Sequence, residues 1–224
     1  MPPEEHNKVR RAKKRLQTAT DRLQATAAAA PTARVNTTDP TSLIMPGKKD
    51  GYDQRHHVQA LACTNQFVIA IATHPNTTDK HALSTLLAQA RANLDAAGIT
   101  TGIGVALFDS GYASQANFTA ELPCELLLVA VEKEARQTGR LQDATSTAPT
   151  AWQAMAERLN DPHHRSLYKR RAAIIEPLFA QLFTRFGRWV HLRGEHVDTE
   201  LHLWAITHNL LKISRHRQRK HPSG

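Results

Sequence analysis

The chain has 224 residues, with 29 Lys and Arg against 20 Asp and Glu, so its formal charge is +9. At 41% hydrophobic and 5% aromatic it can bury one ordinary core, and the length favours one main domain. No apolar run approaches the roughly 18–20 residues of a membrane helix, and the basic start is not followed by a signal-type apolar stretch. These features exclude membrane and secreted classes and point to the cytoplasm. Cys63 and Cys124 are too few for a disulfide-rich scaffold or a four-cysteine zinc site, and both are expected to be reduced, buried thiols.

The positive charge is concentrated at the ends. Residues 1–24 carry a net +4 and residues 163–224 a net +8, which leaves 25–162 at −3. A nearly neutral body with two basic ends suits a polyanion partner. The same runs also serve as solvated faces that keep a chain soluble.

Residues 4–29 read as a helix with Lys8, Arg10, Arg11, Lys13, Lys14 and Arg15 in two turns. Its apolar face is thin (Val9, Leu16, Leu23, then alanines), so it needs a partner or a neighbouring segment to lean on. Pro31 ends it. Residues 32–55, with Pro40, Pro46, Gly47 and Gly51, read as loop with short extended pieces. A hairpin follows: His57 to Cys63 and Phe67 to Thr73 are β-rich runs joined by Thr64, Asn65 and Gln66. Both faces of the second run are apolar, which marks an interior strand.

Thr78 or Asp79 is placed to cap the next helix, whose stripe is Leu83, Leu86, Leu87, Ala90 and Leu94, and Gly98 stands where that helix stops. Val105 to Phe108 and Leu126 to Val131 are continuous apolar runs, each expected to be a buried strand of an α/β sheet. Residues 134–150 are polar and read as a loop. From about 151 the pattern is helical, interrupted by Asp161-Pro162, Gly187 and Gly194, with a last helix over about 197–216. Hairpin, helix, strand, strand and helices in this order predict a mixed sheet with helices on its faces.

Two acids stand out. Asp109 ends a buried strand and is followed by Ser110 and Gly111, the rim where α/β folds place ligands. It is equally placed to cap the helix starting near Ser114. Glu176 follows Tyr168, Lys169, Arg170 and Arg171 on a helical run, and Pro177 directly after it is expected to kink or restart the helix. Glu-Pro is also a common helix start, where an acid is favoured by the dipole. Brought together, the two carboxylates could hold Mg²⁺ with positions open for phosphate and water. Lys169, Arg170 and Arg171 would then lie beside DNA phosphates. Neither His56-His57 nor His163-His164 makes a tight ligand pair, because neighbours diverge on strand and helix alike. There is no phosphate-binding glycine loop and no nucleophile elbow at Ser110.

Several motifs occur in a fixed order: Val35-Asn36-Thr37-Thr38-Asp39-Pro40, Asp109-Ser110-Gly111-Tyr112, Tyr168 through Arg171 to Glu176-Pro177-Leu178-Phe179, Arg193-Gly194, and His208-Asn209-Leu210-Leu211-Lys212. From about residue 33 to 214 the chain resembles the carboxyl-terminal half of bacterial insertion-sequence transposases with a DDE catalytic domain, in the insertion-sequence-4-like group. The resemblance implies an RNase-H-like mixed sheet with flanking helices, lacking its first strand and preceded by a basic helix. It also implies Mg²⁺ (or Mn²⁺) ions held by an Asp-Asp-Glu triad, with cleavage and strand transfer at the ends of double-stranded transposon DNA. Asp109 matches the family's second Asp and Glu176 its Glu, while Tyr168 and Arg171 match the signature around that Glu.

Three departures qualify the match. The leading Asp of the family lies upstream of the Thr-Asp-Pro motif and has no counterpart here. Phe183 stands where the signature has Lys, although Gln181 is kept and Arg185 is placed to substitute. His56-His57 replaces the usual Tyr-Asn. Asp39 is the acid that could stand in as a third ligand. The resulting division is a basic helical segment over 1–31, a partial catalytic core over 32–216 and a basic tail over 217–224. Two functions compete: a truncated or split transposase that cleaves DNA, and an inactive remnant that binds DNA, itself or full-length transposase.

Overall fold

A computed structural model of the protein describes residues 7–27, 34–46, 51–131 and 150–220. The ends of the expected first helix, Pro31, nearly all of the polar 134–150 segment and the last four residues of the basic tail lie outside these ranges. The class is mixed α/β, but among the described residues the strands form three separate two-stranded sheets and not one continuous sheet.

Helix α1 spans Asn7–Ala27. Its thin stripe stays largely uncovered, with Val9, Leu16 and Leu23 exposed and Ala19 buried. The helix is tied down at its polar groups: Lys14 Nζ lies 2.7 Å from Glu195 Oε1, and the Arg22 guanidinium donates to the Pro40 carbonyl. Strands β1 (Leu43–Pro46) and β2 (Tyr52–Arg55) form a small antiparallel pair, the short extended pieces expected in the loop region. Ahead of them the Asn36 side-chain oxygen accepts from the main-chain N–H groups of Thr38 and Asp39 at 2.7 and 3.1 Å, a turn built by the amide itself.

Strands β3 (His57–Ala62) and β4 (Val68–His74) form the expected hairpin, with a register shift between Leu61 and Ala62. It is apolar on both faces because it separates two cores. On one side Ala70, Leu61 and Ile69 pack with helix α2 (Leu83–Ala96), whose Leu83, Leu86, Leu87 and Ala90 are buried. On the other, Val68, Ile71, Val58 and Ala60 meet the last two helices. Asp79 does not cap α2, and Thr78 makes no side-chain cap either; the Asp79 carboxylate turns to β3 instead. Gly98 ends α2 as expected, at φ 71°, with the Ile99 N–H bonding the Leu94 carbonyl at 2.9 Å.

Strand β5 (Ile103–Phe108) runs parallel to β6 (Cys124–Val129), with the short helix α3 (Gln115–Thr119) between them. Leu127, Leu128 and Val129 are buried, but Val105 in the middle of β5 is 41% exposed. The expectation of a fully buried strand fails there because Val105 lines a cavity between β3 and β5. The two thiols are free and only half-buried, and burial still pushes Cys124 above the ordinary thiol range.

Helix α4 (Ala151–Asn160) opens with a reciprocal capping box. The Thr150 hydroxyl accepts from the Gln153 N–H at 3.2 Å, and the Gln153 side chain accepts from the Thr150 N–H at 2.7 Å. Helix α5 (Pro162–Phe186) is capped by Asp161 and starts on Pro162. Helix α6 spans His196–Lys220, four residues beyond the expected end. Pro177 does not restart α5, which runs through it unbroken. Pro177 has no N–H for the carbonyl of Ala173, and the side-chain amide of Gln66 in the hairpin turn donates to that carbonyl at 3.4 Å. Leu178 and Leu182, just beyond the proline, are fully buried against Val197 and Leu201.

Helix side chains close the outer strand edges. Asn209 of α6 accepts from the Val68 N–H and donates to the Val68 carbonyl, both at 2.9 Å, and Asp198 accepts from the Thr73 N–H at 2.7 Å. Arg158 of α4 donates to the Leu127 carbonyl of β6 at 3.3 Å. His208, fully buried, donates from Nε2 to the Gln66 carbonyl at 2.9 Å. The closing His-Asn motif thus pins α6 to the hairpin.

Candidate functional site

A cavity of about 660 Å³ lies between β3 and β5. Both strands line it along their length, α5 contributes Leu167, Arg170, Arg171, Ile174, Ile175 and Phe179, and the opposite side has Ile69, Leu94 and Ile99. The start of β3 sits beside the end of β5, so His57, Asp79, Asp109, Tyr112, Arg170 and Arg171 gather at one mouth.

Asp109 sits at the carboxyl end of β5, as its position in the sequence implies. Its Oδ1 accepts from the Gly111 N–H at 2.9 Å and so caps the 3-10 turn Ser110–Tyr112. It does not cap α3, whose cap is Ser114, accepting from the Asn117 N–H at 3.1 Å. Asp109 Oδ2 lies 4.0 Å from Arg171 Nη1. One turn back on the same helix face, the Tyr168 hydroxyl donates to the Phe108 carbonyl at 3.1 Å. Burial pushes the Tyr168 phenol up, with Arg171 acting against it. The Tyr168–Arg171 pair therefore docks α5 onto the end of β5.

The remaining residues singled out in the sequence are dispersed. Glu176 is exposed, five positions beyond Arg171, and does not line the cavity. Lys169 and Arg170 are exposed, Arg170 at the cavity mouth, and Arg185 is exposed in the last turn of α5. Phe183 stacks on Phe179 at 5.7 Å, with the Arg188 guanidinium 5.3 Å from its ring centre. Asp39 is buried and engaged elsewhere: it accepts from the Gly194 N–H and the Thr41 hydroxyl, each at 3.0 Å, and lies 2.9 Å from His56 Nε2. Burial pushes its carboxyl up, but the bonds from His56, Gly194 and Thr41 together hold it below the ordinary range. This joins two of the sequence motifs, with Gly194 at φ 63° bringing its N–H to Asp39.

The mouth also holds a network not anticipated from the sequence. His57 Nδ1 lies 2.7 Å from the Asn76 carbonyl, and Nε2 lies 2.8 Å from Asp79 Oδ1. An imidazole that donates at both nitrogens is the charged form, so the hydrogen bond to Asp79 raises His57 above its ordinary value, and the same bond holds Asp79 below its own. The Gln59 amide donates to Asp79 at 2.5 Å and its carbonyl accepts from the Tyr112 hydroxyl. Burial pushes Tyr112 far up, reinforced by Asp79 and Asp109. Gly111 makes this close approach possible: a Cβ there would stand 2.4 Å from Asp79 Oδ2. Two polar residues at i and i+2 on an otherwise apolar strand, His57 and Gln59, are the signal that could have revealed it. His56, pointing the other way, pairs with Asp39.

A divalent cation of the kind the resemblance implies needs converging carboxylates. Among the described residues no three His, Cys, Asp or Glu side chains come together in this way. Asp109 lines the cavity and Glu176 is exposed outside its lining, while Asp79 lies 2.8 Å from His57. No helix among the described residues is long and apolar enough to cross a membrane. Comparison of the chain with protein-family models, with curated proteins and with solved structures finds no match.

Proposed function

We propose that this protein acts on double-stranded DNA as part of a transposase-type machinery, with an RNase-H-like core, and that the mouth beside Asp109 is where the DNA backbone passes. The observation that carries the reading is the grouping of Arg170 and Arg171 around Asp109 at a strand end, continued by exposed Lys169 and Arg185 on the same helix. Arginines at such a rim bind phosphate oxygens bidentately and fix register without reading sequence. Asp109 is the acid available for Mg²⁺- or Mn²⁺-dependent cleavage and strand transfer at insertion-sequence ends, provided a second carboxylate, Glu176 in this reading, is brought to it.

The second reading is a chain that binds DNA, or full-length transposase, and catalyses nothing. Its support is the exposed position of Glu176 outside the cavity.

The purified chain is incubated with duplex DNA carrying terminal inverted repeats, with and without Mg²⁺ or Mn²⁺, across a salt series. Expected is binding whose salt slope falls by about 2 in the Arg170→Ala/Arg171→Ala double variant, one for each phosphate no longer neutralised. Metal-dependent nicking abolished by Asp109→Ala supports the catalytic reading; tight binding without nicking supports the second. Binding that ignores salt and both arginines overturns the proposal.

A further inference from the structure

We propose that His208 is a proton-operated pin, and that protonation of its second ring nitrogen frees the carboxyl-terminal arm of α6 from the turn of the β3–β4 hairpin. The inference rests on how α6 is held and does not depend on the DNA reading. Up to its middle the helix is fixed by burial, with Val197, Leu201, Trp204 and Ala205 packed in the core it shares with α5. His208, 1% exposed, is the last buried residue of α6; from Leu210 to Lys220 no side chain is buried. Asn209 beside it makes the two bonds to Val68. Further along, Lys212 Nζ rests 5.9 Å from the centre of the Phe67 ring. The arm is therefore held at the hairpin turn by His208 and its immediate neighbour, with one cation over an aromatic ring as a weak addition.

The ring is set in one state. Nε2 donates to the Gln66 carbonyl at 2.9 Å, so the neutral imidazole carries its proton there and Nδ1 is bare. Nδ1 is buried and has no hydrogen-bond partner among the described residues. A proton arriving at Nδ1 creates a buried donor without an acceptor and a buried cation without a counter-ion, two penalties of the same sign. The charged groups that act on the ring are Lys212 and Arg215 from α6 and Arg185 from α5, all positive. The turn, Thr64 to Phe67, brings no titratable group. Burial lowers His208 below its ordinary value, the bond to Gln66 opposes this, and the three cations add to the lowering. Only the neutral ring fits the site, so taking up the proton and leaving the turn are one event. Gln66 spreads the effect, because its carbonyl holds α6 while its side chain is bonded to Ala173 and Gln181 of α5. The amino-terminal half of α6 stays in place, since Asp198 still holds Thr73. What moves carries Lys212, Arg215, Arg217, Arg219 and Lys220, so the device repositions a basic arm.

The test uses the full chain and follows backbone amide hydrogen exchange by NMR between pH 7 and pH 5, corrected at each pH for the intrinsic exchange rate. Val68, whose N–H is held by Asn209, reports on the arm, and Thr73, held by Asp198, is the internal control. A released ring titrates near its ordinary value of about 6.5, so below that pH opening becomes about tenfold easier for each pH unit. Expected is a fall of about tenfold or more in the protection of Val68 by pH 5, with Thr73 unchanged. His208→Gln keeps an amide donor for the Gln66 carbonyl and loses the titrating ring, so its Val68 protection should not depend on pH. Val68 protection that stays constant over this range in the native chain overturns the pin, all the more if the His208 ring signals titrate meanwhile. Loss at Val68 and Thr73 together shows the whole hairpin opening and overturns it as well. An equal fall in His208→Gln does the same; should that variant not fold, the two results on the native chain still decide.

Discussion

The β3–β4 hairpin treats its two edges in opposite ways. Along β4, Asn209 and Asp198 reach down from α6 and occupy the main-chain groups of Val68 and Thr73. Along β3 no described group does the same. The second sheet repeats the contrast, with Arg158 on β6 and an open main chain along most of β5. Apolar cover is present on both sides, since α5 packs over β3 and β5 as α6 packs over β4. What distinguishes the closed edges is a short polar side chain held at the right height on a rigid helix. Sheets manage their edges by such specific blocks, and burial alone does not satisfy a strand's donors and acceptors.

The largest effect is expected from breaking the closed side. Asn209→Leu keeps the bulk but leaves the Val68 N–H and C=O unpaired beneath α6, at about 2–4 kcal/mol for two groups. A urea titration should show the midpoint falling with the slope unchanged. A loss below about 0.5 kcal/mol, no more than an ordinary surface substitution, would mean that the edge contrast has no energetic content. Gln66→Ala comes next, removing the bonds to Ala173 and Gln181, about 1–2 kcal/mol. Gln66→Gly loses the same bonds but relieves a side chain held at φ 61°, so it should be milder by about 0.5–1 kcal/mol.

Smaller effects sharpen the picture of the open side. Gly111→Ala must push the Asp79 carboxylate aside, at about 1 kcal/mol, and the His57 titration followed by NMR should move down toward its ordinary value. The pH dependence should be smaller still. His57 is raised, so its contribution is complete below about pH 6.5 and fades as pH rises through the folded value. Asp79 is lowered, so its contribution is complete above about pH 4 and fades as pH falls through the folded value. His208, lowered chiefly by burial, acts in the opposite sense to His57: its contribution is complete above about pH 6.5 and is lost in acid. The stability gap between the native chain and His57→Gln should therefore narrow from pH 6 to pH 8, while that for His208→Gln should not.

Much of the architecture was legible because it is written in local patterns. The two hairpin runs, the α2 stripe and its stop at Gly98, and the helix starts at Thr150 and Asp161 all follow from neighbours within a few residues. Asp109 at a strand end followed from an apolar run and the small residues after it. Contacts between distant residues were not legible. Asp79 has the sequence context of a helix cap, yet its partners are His57 and Gln59 across the sheet. Pro177 has the context of a break, yet α5 continues because its far turn is buried and its freed carbonyl is met from the hairpin. Asp109 lines the cavity while Glu176 is exposed outside its lining, a difference that neither residue's neighbours in the sequence announce. Local rules report what a residue can do alone; Asp79 and Pro177 depend on what stands opposite.

The bond from Gln66 to the carbonyl left free by Pro177 also bears on the order of events in folding. It joins positions 107 residues apart, so the turn of α5 around the proline acquires its last partner only after a long loop has closed. Isolated from the hairpin, that helix has a weak point in the middle that its own residues cannot repair. The carboxyl half of α5 is therefore completed by docking. During synthesis the hairpin turn leaves the ribosome first, well before the helix it will hold together has been made.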